Sequence, residues 1–420
     1  MNEWLKTLIF CVFSGSILVT AVLLDPGKRT PDIFDDQGEL FYPEFRDPQD
    51  PKIIEIIDYD EVTATIRPLK VEFKGMKWGI PSHHSYPADA ESRLANTSAA
   101  LMALRKDIVV SDRFEDHAQY GVIDPLDDKA TGLVGRGKRV TLKNSDERVL
   151  ADFVIGTPVK GKKGHRYMRV PHQRRTYSVK TDAAISSRFE DWIETDLLKV
   201  AVSDIRKVTI NSYSVNEQLG RLENAERMVL NQKKGKWFLG RRRLRGGKAS
   251  VLAKALGNLR VVDVQPKPRN LTRDLKTLKG IRLSMRSVLS LRQKGFFITP
   301  SGQLLSNEGE ILVETANGLQ YTLRFGEVAP GGQRTSPLTT TKGGKSVSSK
   351  PAEVTERRYL FITVDYSTTR AHRYASGKKI GEQGKILERE LRHRFADWYY
   401  IISGVNFGQL RPSRQELTRG

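Results

Sequence analysis

Hydrophobic positions in this chain first form one unbroken run and then settle into short periodic segments. From Thr7 to Leu24 the sequence TLIFCVFSGSILVTAVLL holds no charged side chain. At about 1.5 Å of helical rise per residue, such a run covers most of a bilayer core of about 30 Å, and it predicts a transmembrane anchor behind a short tail, residues 1–6. A cleavable leader is the alternative, because Val19, Thr20 and Ala21 resemble a small-residue cleavage site, but the apolar run continues to Leu24. Bulky Phe10 ahead of Cys11 argues against a lipoprotein site. Residues 25–50 alternate proline with acidic side chains, follow neither the helical nor the strand period, and read as a linker.

Beyond the linker the pattern is met twice. KVEFKGMKWGI (Lys70 to Ile80) is echoed by MVLNQKKGKWFL (Met228 to Leu239), pairing Trp78 with Trp237. RFEDW (Arg188 to Trp192) recurs as RFADW (Arg394 to Trp398). Between these landmarks, Leu94, Leu101 and Leu104 keep helical spacing, as do Leu252, Ala255, Leu256 and Leu259. YGVIDP at Tyr120 then corresponds to KGFFITP at Lys294. Strand-like runs follow in both halves: KRVTLKN and VLADFVIG against EILVETANG and QYTLRFG, then RYMRV against RYLFITV. The fold class expected is α+β: two tandem, pseudo-repeated domains with antiparallel sheets, residues 51–205 and 206–420, each closed by a helix carrying the RF-x-DW residues. A Gly, Pro, Ser, Thr and Lys-rich insertion at 329–356 in the second copy cannot supply a core and reads as a flexible loop.

Composition narrows the setting. Seventy Lys and Arg against 49 Asp and Glu give a net charge of +21, which favours anionic contacts such as lipid headgroups or an acidic polymer. Cys11 is the sole cysteine, so neither an intramolecular disulfide nor a cysteine-ligated metal centre is available. Histidine spacing shows no zinc pattern, and no cofactor is expected. Lys6 on one side of the anchor and Lys28 with Arg29 on the other leave the charge rule undecided. The very short tail places the anchor in the inner membrane as a single span, with the bulk of the chain extracytoplasmic.

Candidate chemistry is sparse. In WGIPSHHSYPADAESRL (Trp78 to Leu94), His83 or His84 as base, Ser85 as nucleophile and Asp89 as orienting carboxylate would make a hydrolase. Residues so close in sequence rarely reach triad geometry, and the matching stretch of the second copy has neither histidine nor carboxylate. The stretch reads better as a helix start, with Ser85 as cap, Pro87 in the first turn, and Asp89 and Glu91 near the positive end of the helix dipole. GLVGRGKR (Gly132 to Arg139) matches a P-loop until Arg139 stands where Ser or Thr should hold magnesium, and a basic hairpin turn is the better reading. Two basic runs supply candidate anion contacts: Lys160, Lys162, Lys163, Arg174 and Arg175 in the first copy, and Arg241, Arg242, Arg243 and Arg245 in the second. Few aromatic side chains are interleaved with them, which disfavours nucleic acid as a partner.

The N-terminal apolar segment, KWGIPSHHSYPADAESRL, YGVIDP, FVIGTPV and RYMRVP together resemble domain-of-unknown-function family 4340. That resemblance implies a membrane-anchored protein, in some members associated with ABC-type transporter components of the gliding-motility sort, and it carries no catalytic residues. The expected function is a non-enzymatic binding or scaffolding component of an envelope assembly, beside an ABC-type transporter. An anionic-polymer-binding ectodomain and a hydrolase using His83, His84 and Asp89 are the alternatives.

Overall fold

The computed structural model describes Trp4 and residues 36–61, 63–130, 132–181, 183, 185–216, 221–244, 247–277, 283–299, 301–330, 356–374 and 378–418. The expected anchor at 7–24, Arg245 and residues 331–355 of the insertion lie outside them. Among the described residues, no helix is long and apolar enough to cross a membrane.

In the first half, β1 (Ile53–Asp60), β2 (Thr65–Lys74), β3 (Lys77–Ile80) and β4 (Tyr86–Pro87) precede α1 (Glu91–Met102). After β5 (Ile108–Ser111) and the single turn α2 (His117–Tyr120) come β6 (Lys138–Lys143), β7 (Val149–Pro158), β8 (His165–Arg169) and β9 (Thr176–Lys180). The second half runs β10 (Ile205–Asn216), β11 (Arg221–Lys233), β12 (Lys236–Leu239), β13 (Arg242–Arg243), α3 (Lys248–Gly257) and β14 (Asp263–Pro266). Helices α4 (Arg269–Thr277) and α5 (Met285–Arg292) lead to a small hairpin, β15 (Phe296–Ile298) and β16 (Leu304–Ser306). Then follow β17 (Glu310–Thr315), β18 (Leu319–Ala329), β19 (Arg357–Tyr366), α6 (Thr368–Tyr374), α7 (Lys378–Ala396), β20 (Trp398–Ser403), α8 (Gly404–Leu410) and α9 (Arg414–Thr418).

Apart from the separate β15–β16 hairpin, these strands form two large antiparallel sheets, so the fold is α+β. Their orders are β4-β3-β2-β1-β6-β7-β8-β9-β5 and β13-β12-β11-β10-β17-β18-β19-β20-β14. Replacing each strand of the first sheet by its counterpart in chain order reproduces the second. The first sheet runs from Ile53 to Lys180 and the second from Ile205 to Ser403. By contacts, however, the chain divides into interleaved units: one of Met1–Lys52, Ile56–Ile66 and Ala95–Ile185, the other of Ile53–Glu55, Arg67–Leu94 and Ser186–Gly420.

Details recur with the topology. Leu94, Thr97, Ser98 and Leu101 form the buried stripe of α1, and Ala249, Leu252, Ala253 and Leu256 repeat that spacing on α3. Leu104 and Leu259, each three residues further on, are buried as well. In the first copy, a Cβ added to Gly156 on β7 would lie 2.4 Å from the Tyr120 carbonyl oxygen. In the second, a Cβ on Gly326 of β18 would lie 2.1 Å from that of Lys294. The Arg166 guanidinium donates to the Gly156 carbonyl at 2.9 Å, and Arg358 donates to that of Gly326 at 3.4 Å.

Burial explains the second unit's extra helices. On β19, Leu360, Ile362 and Val364 are buried toward one face. Tyr359 and Phe361 alternate with them and join Tyr399, Ile401, Leu271, Leu291 and Phe296 in a second core. Strands buried on both faces need cover on both, and Leu271 on α4 and Leu291 on α5 bring those helices into this core.

Three local expectations are corrected. Ser85 and Pro87 do not start a helix: His84 and Ser85 adopt left-handed φ values of 58° and 59°, and Pro87 lies in β4 opposite Gly79 of β3. A two-strand return occupies these residues, and α1 opens only at Glu91. Nor do the RF-x-DW motifs close equivalent helices. Phe189–Asp191 is a single 3-10 turn after β9, whereas Arg394 and Phe395 end α7 and Trp398 opens β20. Finally, residues 36–50 of the expected linker are packed in the first unit. Phe41 is 5.4 Å from Phe153 and 5.2 Å from Tyr177 by ring centroids, Phe45 is buried, and the Tyr42 hydroxyl donates to the Asp152 carbonyl at 2.6 Å.

Candidate functional site

The basic residues singled out by the sequence sit mainly in turns. Lys160, Lys162 and Lys163 are exposed between β7 and β8. Arg174 is exposed between β8 and β9, where its carbonyl is bonded to His117 Nε2 at 2.7 Å, and Arg175 is held by Asp36 at 3.4 Å. In the second unit Arg241, Arg242 and Arg243 are exposed, with Arg242 donating to the Thr418 carbonyl at 3.2 Å. Arg136, from the rejected P-loop match, organises its own loop by donating to the carbonyls of Asp124, Pro125, Asp127 and Ala130.

The histidine stretch is pulled apart. His83 stacks on Phe189 at 4.5 Å, its Nδ1 lies 3.1 Å from Ser82 Oγ, and its Nε2 lies 3.9 Å from Asp263. Burial pushes the imidazole below its ordinary value, against the pull of Asp263. His84 and Ser85 are exposed at the left-handed turn. The backbone N–H of Asp89 is fixed by the Trp192 carbonyl at 2.8 Å, and its side chain lines a separate depression.

That depression is a cleft of about 670 Å³ in the second unit. Three distant segments build it: Tyr86 to Asp89; Glu194 and Lys199; and Glu390 to Trp398 across the end of α7. Its aromatic base is the edge-on pair of Tyr86 and Trp398, 5.0 Å between centroids. Lys199 bonds Glu390 at 2.7 Å and approaches Glu194 at 3.7 Å, while Arg394 pairs with Glu194 at 3.5 Å. Asp397 is countered by Lys276 at 3.0 Å. The hydrogen bond that Lys199 donates to Glu390 raises its ammonium above the ordinary value, and burial raises the Tyr86 phenol. Such a lining suits recognition of a polar ligand against aromatic rings. Most of its carboxylates are already engaged by cations, which leaves little for acid–base chemistry. Among the described residues, no group of three or more His, Cys, Asp and Glu side chains is placed to share a metal ion.

One buried lysine was invisible to sequence reasoning. Lys267 follows β14 inside the second core, 6% exposed, with Nζ donating to the Phe395 carbonyl at 2.7 Å and lying 3.9 Å from the Phe361 ring centroid. Burial holds its pKa well below the usual lysine value. In the sequence it is one lysine among seventy basic residues.

Residues 78–279 match the model of the family described as Domain of unknown function (DUF4340). No curated protein and no solved structure matches the chain.

Proposed function

From a chain that carries a DUF4340 domain, we propose a single-span, membrane-anchored binding or scaffolding component of an envelope assembly, set beside an ABC-type transporter, with the bulk of the chain outside the cytoplasm. One observation carries the non-enzymatic part. Both sheets follow one strand order, yet the polar groups differ between them: the stretch around His83, Ser85 and Asp89 has no counterpart before α3. A framework copied without its reactive groups supports a role in presenting surface. The apolar run at 7–24 supports the anchor. Two measurements test the reading. The chain should resist carbonate extraction from membranes, and gentle detergent pulldown should recover an integral membrane partner; a chain that is extracted, or recovered alone, would overturn it.

The exposure of Lys160, Lys162, Lys163, Arg241, Arg242 and Arg243 favours a second reading, contact with an anionic polymer. Retention on heparin that falls steeply with salt, and weakens when these residues are replaced by alanine, is its signature. The hydrolase reading has less support, since His83 is turned to Ser82, Asp263 and Phe189.

A further inference from the structure

Equivalent hairpins in the two copies differ at their tips. In β2–β3, Lys74 pairs with Lys77 around Gly75 and Met76; in β11–β12, Lys233 pairs with Lys236 around Lys234 and Gly235. Both turns hold two residues at positive φ: 59° and 62° in the first, 47° and 75° in the second. Where the second copy has glycine, the first has Met76, an unfavourable residue for the left-handed region and 89% exposed.

The next pair toward the sheet differs in the same sense. Phe73 lies opposite Trp78, and at the equivalent place Gln232 lies opposite Trp237. Leu69 and Val71 are buried, as are Met228 and Leu230, so both hairpins begin with the same apolar stripe. In the second copy the stripe ends in glutamine and glycine. In the first it continues past the core through Phe73, 41% exposed and 5.2 Å from Trp78 by ring centroids, to Met76. Exposed Lys74 and Lys77 flank it. Neither strand pairing nor core packing requires these choices, because the second copy builds the same hairpin without them.

We infer that the β2–β3 tip is a membrane-contact element, which seats Phe73 and Met76 at the interface of an anionic bilayer while Lys74 and Lys77 meet the headgroups. Aromatic and flexible apolar side chains suit the boundary between headgroups and acyl chains, and adjacent cations add attraction to anionic lipid. The charge of +21 has the matching sign. One small tip binds weakly by itself, and tethering raises its effective concentration at the surface, so the inference rests on the anchoring part of the proposed function.

The test uses the full chain in lipid nanodiscs. In a Cys11→Ser background, Met76→Cys carries an environment-sensitive fluorophore, with Lys234→Cys labelled in the same way as the control. In discs containing phosphatidylglycerol, spin-labelled lipid should quench the probe at 76 at least about twofold more than the probe at 234. Lys74→Ser with Lys77→Ser should lessen that quenching in anionic discs but not in pure phosphatidylcholine. A second variant keeps Met76 out of the labelling chemistry: Phe73→Gln with Met76→Gly copies the other hairpin's own residues, and in a Trp4→Phe background, which silences the tryptophan beside the anchor, it should lessen brominated-lipid quenching of the tryptophan emission. Equal quenching at 76 and 234 overturns the inference, as does a probe that shifts only when a protein partner is added. Failure of the anchor is separate: the chain then does not co-purify with the discs.

Discussion

The carbonyl oxygen of Lys294 lies only 2.1 Å from the position a Cβ on Gly326 would take. Backbone atoms cannot give way as a side-chain end can, so Gly326→Ala must displace β18 or the turn before β15. A loss of about 1–3 kcal/mol is expected by chemical denaturation, and a similar loss for Gly156→Ala against the Tyr120 carbonyl. Gly408, within α8, has nothing within 4 Å of its added Cβ, and Gly408→Ala should stabilise by about 0.5–1 kcal/mol.

Lys267 makes stability depend on pH. Its folded pKa is depressed by burial, so between that value and the ordinary one of about 10.4 the unfolded chain binds more protons than the folded chain. Stability contributed by this residue therefore rises with pH across that window and is lost as pH falls through the folded pKa. Lys267→Met removes the titration. Unfolding free energies of the two proteins at about pH 6 and about pH 9 should show the variant gaining on the wild type at the lower pH.

Glu314 works in the opposite range. Burial would raise its carboxyl, but hydrogen bonds from Lys207 at 2.7 Å and the Tyr374 hydroxyl at 2.8 Å outweigh that and leave the pKa lowered. Its stabilisation is present above the ordinary carboxylate range and disappears as pH falls through the folded value. Glu314→Gln should cost about 1–3 kcal/mol at neutral pH, and the difference should shrink in acid.

Two buried tyrosines should respond differently to loss of the hydroxyl. Tyr321 is fully buried and its hydroxyl has no hydrogen-bond partner among the described residues, while Tyr399 shares a hydrogen bond with Ser290 at 3.1 Å. Burial pushes the Tyr399 phenol up to about 12 and the Tyr321 phenol up further. Tyr321→Phe should leave thermal stability unchanged or improve it, and Tyr399→Phe should lose about 0.5–1.5 kcal/mol.

Local periodicity and similarity carried the repeat a long way. Trp78 and Trp237 occupy matching strands because a hairpin is a local object, and its turn, its paired lysines and its apolar alternation all lie within a dozen residues. RFEDW and RFADW misled for the complementary reason. Five similar residues say nothing about strand order, and α6 and α7 stand between β19 and β20 where only a short turn joins β8 to β9. Ser85 and Pro87 fit a helix start by residue type, but the pairing of β4 with β3 decides their conformation, and that pairing depends on Gly79 and Ile80 across the turn. The cleft escaped notice because Asp89, Lys199 and Arg394 come together only through the fold.

Among the described residues, strand β14 has one partner, β20, and they pair from Asp263 with Ile401 to Pro266 with Trp398. During synthesis, therefore, the edge that β14 presents stays open until nearly the whole second half has left the ribosome, the insertion at 329–356 included. The first sheet faces a shorter wait, since β5 needs only β9, at Thr176 to Ser178. A chain stopped before Trp398 keeps its first sheet's partners but leaves β14 with an unmet row of peptide groups, the kind of edge that recruits strands from other molecules. Termination between Pro266 and Trp398 is thus expected to yield aggregates rather than a shortened but working protein.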